Sequence, residues 1–479
     1  MTEGKIRLYA APKGVTLSED YIVKVRPVGK HTWKTLDLYR VRVDMHDVRK
    51  ASMAFFDFEG AVEVMVEVPG FFQTYQVDIR PLSLGIESRF SGNCVYFTLE
   101  KPANISVEIN KDRYHNLHLF AGGLPEEVPS DNTLILGPGD KGIGFVGDNL
   151  SAKLESMPKG RTLYLTPGLY YISESIWHLP SDTSLYLAGG AVLIGGLVLD
   201  HAENVRIYGR GVICQASFHR FSSINGIRIS HCRHIVMENL IFINPPHYTV
   251  HLGGSKDIIL RGIKSFSCEG WSDGIDMMSC ENVVVEGCFL RTSDDCIAIY
   301  GSRWDYYGDT RDIWVHNCSL WADVAHPVNI GLHGDHGRAG DVLENIEIED
   351  IDVLEQNEFQ EDCLGILAIN VGDKNTARRI EFRNIRIEPF RRGELLHFSV
   401  LQNAVYNPAP GRGIRDITVD GVRLLSGSGE EPSVICGFSE EYGVCGINLR
   451  NIYRDGRKVT DLAEFPLKVG PFAEGIVLE

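Results

Sequence analysis

The segment Ile235-Val-Met-Glu-Asn-Leu-Ile-Phe-Ile243 reads as two short apolar strands separated by a polar turn at asparagine. The same figure returns as Ile258-Ile-Leu-Arg-Gly-Ile-Lys-Ser-Phe266, Val283-Val-Val-Glu-Gly-Cys-Phe-Leu290 and Ile313-Trp-Val-His-Asn-Cys-Ser-Leu320. It continues from Ile346, Ile380, Ile417 and Ile447, with starts about 23 to 37 residues apart, the length of one solenoid turn plus loops of variable size. A single turn of this kind cannot bury its apolar face, whereas stacked turns bury a continuous core. Leucine-rich and ankyrin repeats share the period but need helical halves that are missing here, so the repeat predicts a parallel β-helix.

Upstream, Tyr21-Ile-Val-Lys-Val-Arg26, Ala61-Val-Glu-Val-Met-Val-Glu-Val68, Cys94-Val-Tyr-Phe-Thr-Leu99 and Ile105-Ser-Val-Glu-Ile109 alternate with period two. They predict an antiparallel β-sandwich over residues 1–125, followed by the solenoid over 126–479. The glycine-rich stretch from Gly122 to Gly147 marks the passage between them.

The 479 residues are 44% hydrophobic and 23% charged, which excludes disorder and a coiled-coil rod. Sixty-four acidic against 47 basic side chains give a net charge of −17, a field that repels nucleic acid and anionic membranes. The opening Met1-Thr-Glu-Gly-Lys-Ile-Arg-Leu carries no apolar run behind a basic start, and no later stretch reaches about 18 uninterrupted apolar residues. Eleven cysteines, five of them (Cys268, Cys280, Cys288, Cys296, Cys318) within strand-like segments, fit buried reduced thiols, and no CxxC pair suggests zinc. The expectation is a cytoplasmic protein with no membrane span and no cofactor.

Chemistry concentrates in two adjacent turns. Trp271-Ser-Asp-Gly-Ile-Asp-Met-Met-Ser279 and Arg291-Thr-Ser-Asp-Asp-Cys-Ile-Ala-Ile299 lie about one coil apart, so Asp273 and Asp276 should stack near Asp294 and Asp295. Aspartates cap turns for purely structural reasons. Several like charges at short range also raise one another's pKa, as proton transfer during glycoside hydrolysis requires.

These residues carry a resemblance. Asp273-Gly-Ile-Asp276, Ser293-Asp-Asp-Cys-Ile-Ala-Ile299 and Ala325-His-Pro-Val-Asn-Ile-Gly331 are similar to the successive motifs of glycoside hydrolase family 28, the polygalacturonase family. Leu185-Tyr-Leu-Ala-Gly-Gly-Ala-Val-Leu-Ile-Gly195 resembles that family's entry into its right-handed β-helix. The resemblance implies an all-β chain, a sandwich followed by a right-handed parallel β-helix, with dextranases and isopullulanases as related sandwich-plus-helix enzymes. It implies an inverting glycosidase in which Asp294 is the general acid, Asp273 and Asp295 hold and activate water, and His326 tunes the acid.

Three departures stand out: Trp271-Ser272 replaces Asn-Thr, Ala325-His326-Pro327 replaces Gly-His-Gly, and the Arg-Ile-Lys that grips a galacturonate carboxylate is missing near Leu364-Gly-Ile-Leu-Ala-Ile-Asn-Val371. The last shifts the expected substrate toward a neutral oligo- or polysaccharide, with a uronic acid chain as the alternative and a carboxylate grip then to be sought at Arg303 or Arg338. The loop Gly301-Ser-Arg-Trp-Asp-Tyr-Tyr-Gly-Asp-Thr310 offers Arg303, Trp304, Tyr306 and Tyr307 to a sugar, with Asp276, Asn329 and His333 completing the expected binding set. His333-Gly-Asp-His336 resembles a metal cluster but reads better as hydrogen-bonded loop, and Glu361-Asp362 would line the cleft. Two other classes fit a β-helix: a lyase or epimerase, which needs a Lys or Arg base, and a carbohydrate-binding solenoid without turnover.

Overall fold

A computed structural model of the chain describes residues 4–70, 73–125, 131–360, 363–403, 405–427 and 429–479. Glu361 and Asp362 lie outside them.

The N-terminal strands form two sheets around a core that includes Val23, Phe56, Val64, Val95 and Leu119. One sheet is wholly antiparallel: Lys34–Thr35, Ile22–Pro27, Val62–Glu67, Cys94–Leu99 and Ser88–Ser91. The other departs from the antiparallel expectation at one pair, because Leu117–Gly123 runs parallel to Arg49–Glu59. Both of these strands are buried along most of their length, as suits a central pair covered on both faces.

The rest of the chain winds into a right-handed parallel β-helix, a single sheet system of 33 strands from Thr133–Leu136 to Ala473–Leu478. Its first coils are capped by the helix Asp148–Glu155. The repeat seen in the sequence is its ladder: Ile235, Ile258, Val283, Ile313, Ile346, Ile380, Ile417 and Ile447 stack coil upon coil with their side chains inside. The polar turn residue of the repeat has a backbone reason. Asn239, Gly262, Gly287, Asn317, Asp350, Asn384, Gly421 and Asn451 all take positive φ between 50° and 75°, where asparagine and glycine are tolerated best.

The sandwich docks on one outer face of this helix. Phe266, Phe289, Trp321 and Leu354 point outward from successive coils and pack against Tyr39, Val41, Met53, Phe55 and Phe120. Beside this apolar seam lies a buried ionic one. Arg291 is fully buried, bonds both oxygens of Asp323 at 2.8 and 3.1 Å, donates to Asn116 Oδ1 at 3.0 Å, and lies 4.2 Å over the Trp321 ring. Arg291→Met is expected to lower unfolding stability in a denaturant titration by about 3–5 kcal/mol, since it leaves Asp323 charged and poorly compensated. A loss below about 1 kcal/mol would mean that Arg391, 3.6 Å from Asp323, suffices alone.

No helix among the described residues is long and apolar enough to cross a membrane. The eleven cysteines are all unpaired, and the five in strand-like segments are buried.

Candidate active site

Along the column Val250–Gly253, Ile275–Met278, Ile297–Tyr300, Val328–Ile330 and Gly365–Val371, alternation sends Val250, Ile275, Ile297, Val328 and Leu367 inward. His251, Asp276, Ala298, Asn329 and Ala368 form the opposite, outer row. The turn entering each strand carries the chemistry: Asp273, then Asp294 and Asp295, then His326. Backbone bonds stack these turns, with Gly274 N donating to Asp295 O and Cys296 N to His326 O, both at 2.8 Å. Three carboxylates from two coils thereby converge, one oxygen of each within 4.8 Å of the others. A cation would find suitable donors there, and the same closeness suits a shared proton economy.

Asp295 is the best-held member. Its Oδ1 accepts from His326 Nδ1 at 2.6 Å and from the His326 amide at 3.1 Å, while Oδ2 accepts from Asn329 Nδ2 at 2.9 Å and the Tyr300 hydroxyl at 3.3 Å. Burial works against its charge, but the His326 charge and these bonds hold it below the ordinary aspartate range. Burial likewise opposes charge on His326, yet Cys363 and Asp295 keep it well above the usual imidazole value. Its Nε2 meets the Cys363 carbonyl.

Asp294 behaves oppositely. Its Oδ2 accepts the Trp271 amide at 2.9 Å and its Oδ1 the Asp295 amide at 3.1 Å, but burial first and the charge of Asp295 second push its pKa up to about 7. Asp273 rises well above its normal range through burial and the neighbouring Asp276, Asp294 and Asp295. The cluster therefore offers an acid that keeps its proton near neutrality beside a carboxylate that has lost one.

The other expected residues divide. Arg303 lines the same cavity of about 240 Å³, together with Tyr248, Trp271, Asn329, His333 and Tyr406. Its guanidinium lies 4.4 Å from the Trp304 ring centre and 5.1 Å from that of Tyr300, and among the described residues its side chain has no ion-pair or hydrogen-bond partner. Asn329, expected to hold sugar, is committed to Asp295. Asp276 is completely buried, which raises its pKa well above the ordinary aspartate range, and it backs the site without lining it. Tyr306 is not an open platform: it is 4% exposed, and its hydroxyl bonds Ser230 Oγ at 2.7 Å and His251 Nε2 at 3.2 Å. Tyr307 is half exposed and carries the Arg338 guanidinium on one ring face, 3.7 Å from the ring centre. His333 faces the cavity while Asp335 pairs with Arg338 at 3.0 Å, so the His333-to-His336 turn does not converge on a metal position.

Glu358 was not foreseen. Its Oε1 accepts the amides of Phe359 and Gln360 at 2.6 and 2.8 Å, and its buried Oε2 lies 3.7 Å from His326 Nδ1 with no hydrogen-bond partner among the described residues. It sits in the turn before Gly365–Val371, the position that supplies Asp294 and His326 in earlier coils, and that register was the available signal. Ala325 holds φ 65°, a conformation that a glycine takes without strain.

Residues 212–462, just over half of the chain, match the profile of glycosyl hydrolases family 28. The chain belongs to glycosyl hydrolase family 28. Among curated members this family 28 chain is 31% identical over 117 residues to a probable polygalacturonase of Vitis vinifera, covering 23% of the chain and 24% of that protein. It is 23% identical over 224 residues to a probable polygalacturonase of Arabidopsis thaliana, covering 46% and 43% respectively. The chain thus spans about half or less of the length of these relatives. Among solved structures its fold is similar to Dex49A from Penicillium minioluteum, with TM-score 0.60 and 14% identity over 97% of this chain and 96% of that one. The Yersinia enterocolitica family 28 exopolygalacturonase follows at TM-score 0.55 and 12% identity, over 92% and 98%.

Proposed function

We propose that this protein hydrolyses glycosidic bonds of a uronic acid-containing oligo- or polysaccharide, with Asp294 as general acid and Asp295, assisted by Asp273, activating water. The observation that carries the chemistry is the divergence of two adjacent carboxyl groups, Asp294 raised to about 7 and Asp295 lowered. As the glycosidic C–O bond breaks, the Asp294 proton passes to the leaving oxygen. Water adds to the anomeric carbon and gives its proton to Asp295, the carboxylate that is held ionised.

The substrate preference rests on Arg303. The Arg-Ile-Lys grip is missing near residues 364–371, and this favoured a neutral sugar. A guanidinium inside the catalytic cavity, with no ion-pair or hydrogen-bond partner among the described residues, supplies the missing cation from another loop. Arg338 does not, being engaged with Asp335 and Tyr307. The names of the curated relatives agree with a pectic substrate. Arg303→Gln is expected to reduce kcat/KM on oligogalacturonides by at least about tenfold, roughly 1.4 kcal/mol, mostly through KM, and to leave a neutral glycan unaffected. Better hydrolysis of neutral oligosaccharides by the unmodified protein would restore the neutral reading.

Inversion is the stereochemical expectation, but one observation favours a second reading. One oxygen from each of Asp273, Asp294 and Asp295 lies within 4.8 Å of the others, which sets a carboxylate as well as a held water within reach of one anomeric carbon. Proton NMR of the first-formed product decides between them: the inverted anomer fits water held by Asp273 and Asp295, and the retained anomer would make one of them a nucleophile.

A further inference from the structure

Where the sandwich meets the solenoid a second cavity of about 460 Å³ opens, and no residue that lines it also lines the catalytic one. Both domains build it: Phe55, Asn104 and Phe120 stand on the sandwich side, Asn239, Lys264 and Ser319 on the solenoid side. Its volume lies within the roughly 300–1,000 Å³ of small-ligand pockets.

The arginines of this cavity are all engaged. Arg210 Nε meets Asp57 Oδ2 at 2.7 Å, and its other nitrogens donate to the carbonyls of Gly209 and Gly123 at 3.1 and 3.0 Å. Arg261 holds Glu286 at 2.8 Å, and Arg386 holds both oxygens of Asp352 at 2.6 and 3.1 Å with Asp350 3.6 Å away. Lys264 is left over. It is partly buried, has no ion-pair or hydrogen-bond partner among the described residues, and stands 6.0 Å from the centre of the Phe120 ring. Burial first and the charge of Arg210 second push its pKa down to about 8, the direction expected of a cation without a counter-charge. Cationic side chains around the cavity number five and carboxylates four, in a chain whose net charge is −17. The seam is short of one negative charge that the molecule as a whole has in excess.

Uncharged polar groups on the same wall are idle too. The side chains of Asn239 and Ser319 bond nothing among the described residues. Lys264, Phe289 and Ser319 occupy one outer row in three successive coils. Lys264 and Ser319 are therefore two strand spacings apart, roughly 9–10 Å, a span that one pyranose ring bridges with a hydrogen bond at either end. Between them Phe120 packs on Phe289 with ring centres 5.3 Å apart, an apolar floor for the ring. One missing charge calls for a monoanion, and the free amide and hydroxyl call for a ligand with hydroxyl groups of its own.

We infer that this seam is a second binding site, for a single sugar acid whose carboxylate meets Lys264 and whose hydroxyls meet Asn239 and Ser319. Such a ligand bridges the two domains, and it binds whether or not the aspartate cluster turns substrate over.

Calorimetry on the full chain, with galacturonate, galactose, acetate and inorganic phosphate as probes, tests the site. Galacturonate should bind, and Lys264→Met should weaken that binding at least about tenfold while leaving kcat unchanged. Galactose and acetate each carry only part of the recognised chemistry and should bind at least about tenfold more weakly than galacturonate. Ser319→Ala repeats the test without touching the charge: it should weaken galacturonate and leave acetate unchanged. Because the ligand joins the domains, galacturonate should also raise the melting midpoint of the unmodified protein more than that of Lys264→Met. Galacturonate held through Arg303 in the catalytic cavity would add a separate equivalent, removed by Arg303→Gln and not by Lys264→Met. Absence of that equivalent tells against the uronic substrate alone. Galacturonate binding that neither Lys264→Met nor Ser319→Ala weakens, or acetate or phosphate binding as tightly as galacturonate, would overturn the inference.

Discussion

Asp294→Asn is expected to lower kcat by about 10²–10⁴ on the preferred glycoside, because the leaving oxygen then departs without a proton donor. The same substitution should leave the fold intact. An amide still accepts one of the two backbone bonds that reach Asp294, from Trp271 and Asp295, and the Trp271 amide belongs to a half-exposed residue that water can serve. Stability supplies an independent sign. Asp294 has a folded pKa of about 7 against an ordinary 3.8, so between these values the folded state keeps a proton that the unfolded chain has lost. The stabilisation from that proton is complete below about pH 4 and is lost as pH rises through 7, at up to about 1.4 kcal/mol per pH unit. Asparagine has no such loss. The melting midpoint of the variant relative to the unmodified protein should therefore climb from pH 4 to pH 7 and then level off. Activity within tenfold of the original, or a pH-independent gap in midpoints, would remove Asp294 from the role of acid.

The solenoid was legible because its information is local and repeated. Each coil writes the same inward alternation, and the left-handed turn demands Asn, Asp or Gly at one position, so Ile235, Asn239 and their equivalents announce both strand and corner. The aspartate cluster was legible for the same reason, since one coil of separation fixes Asp273 against Asp295. What escaped is set by long-range contact. The parallel pairing of Leu117–Gly123 with Arg49–Glu59 joins strands distant in sequence, and alternation within a strand carries no record of partner direction. Nothing in the loop at 301–310 indicates that it folds backward. Tyr306 therefore looked like a sugar platform and is instead a clamp on Ser230 and His251. Asn329 looked like a ligand to sugar because its commitment to Asp295 exists only when coils stack. Glu358 follows no recognisable motif, and only the shared turn register marks it.

Asp295→Asn should cost as much turnover as loss of the acid, about 10²–10⁴, with a different signature in pH dependence. Asp295 is the member of the three that is held ionised, against its burial, by the charge and bonds of His326 and by Asn329. Removing its charge leaves water with Asp273 as its remaining carboxyl, and burial with neighbouring carboxyls keeps that group well above its normal range. The second consequence falls on the acid. Burial is the larger cause of the raised Asp294 pKa and the charge of Asp295 the next, so the variant retains part of the elevation and loses the rest. In the unmodified protein kcat/KM should decline as pH passes about 7, where free Asp294 gives up its proton. In the Asp295 variant that alkaline limb should move to lower pH, since a less perturbed acid ionises earlier. His326 supplies the control. His326→Gln keeps the negative charge beside Asp294 but removes the cation that holds Asp295 ionised, so the acidic limb should move upward instead. An alkaline limb unmoved in the Asp295 variant would show that burial, with the charge of Glu358, sets the acid's pKa without Asp295.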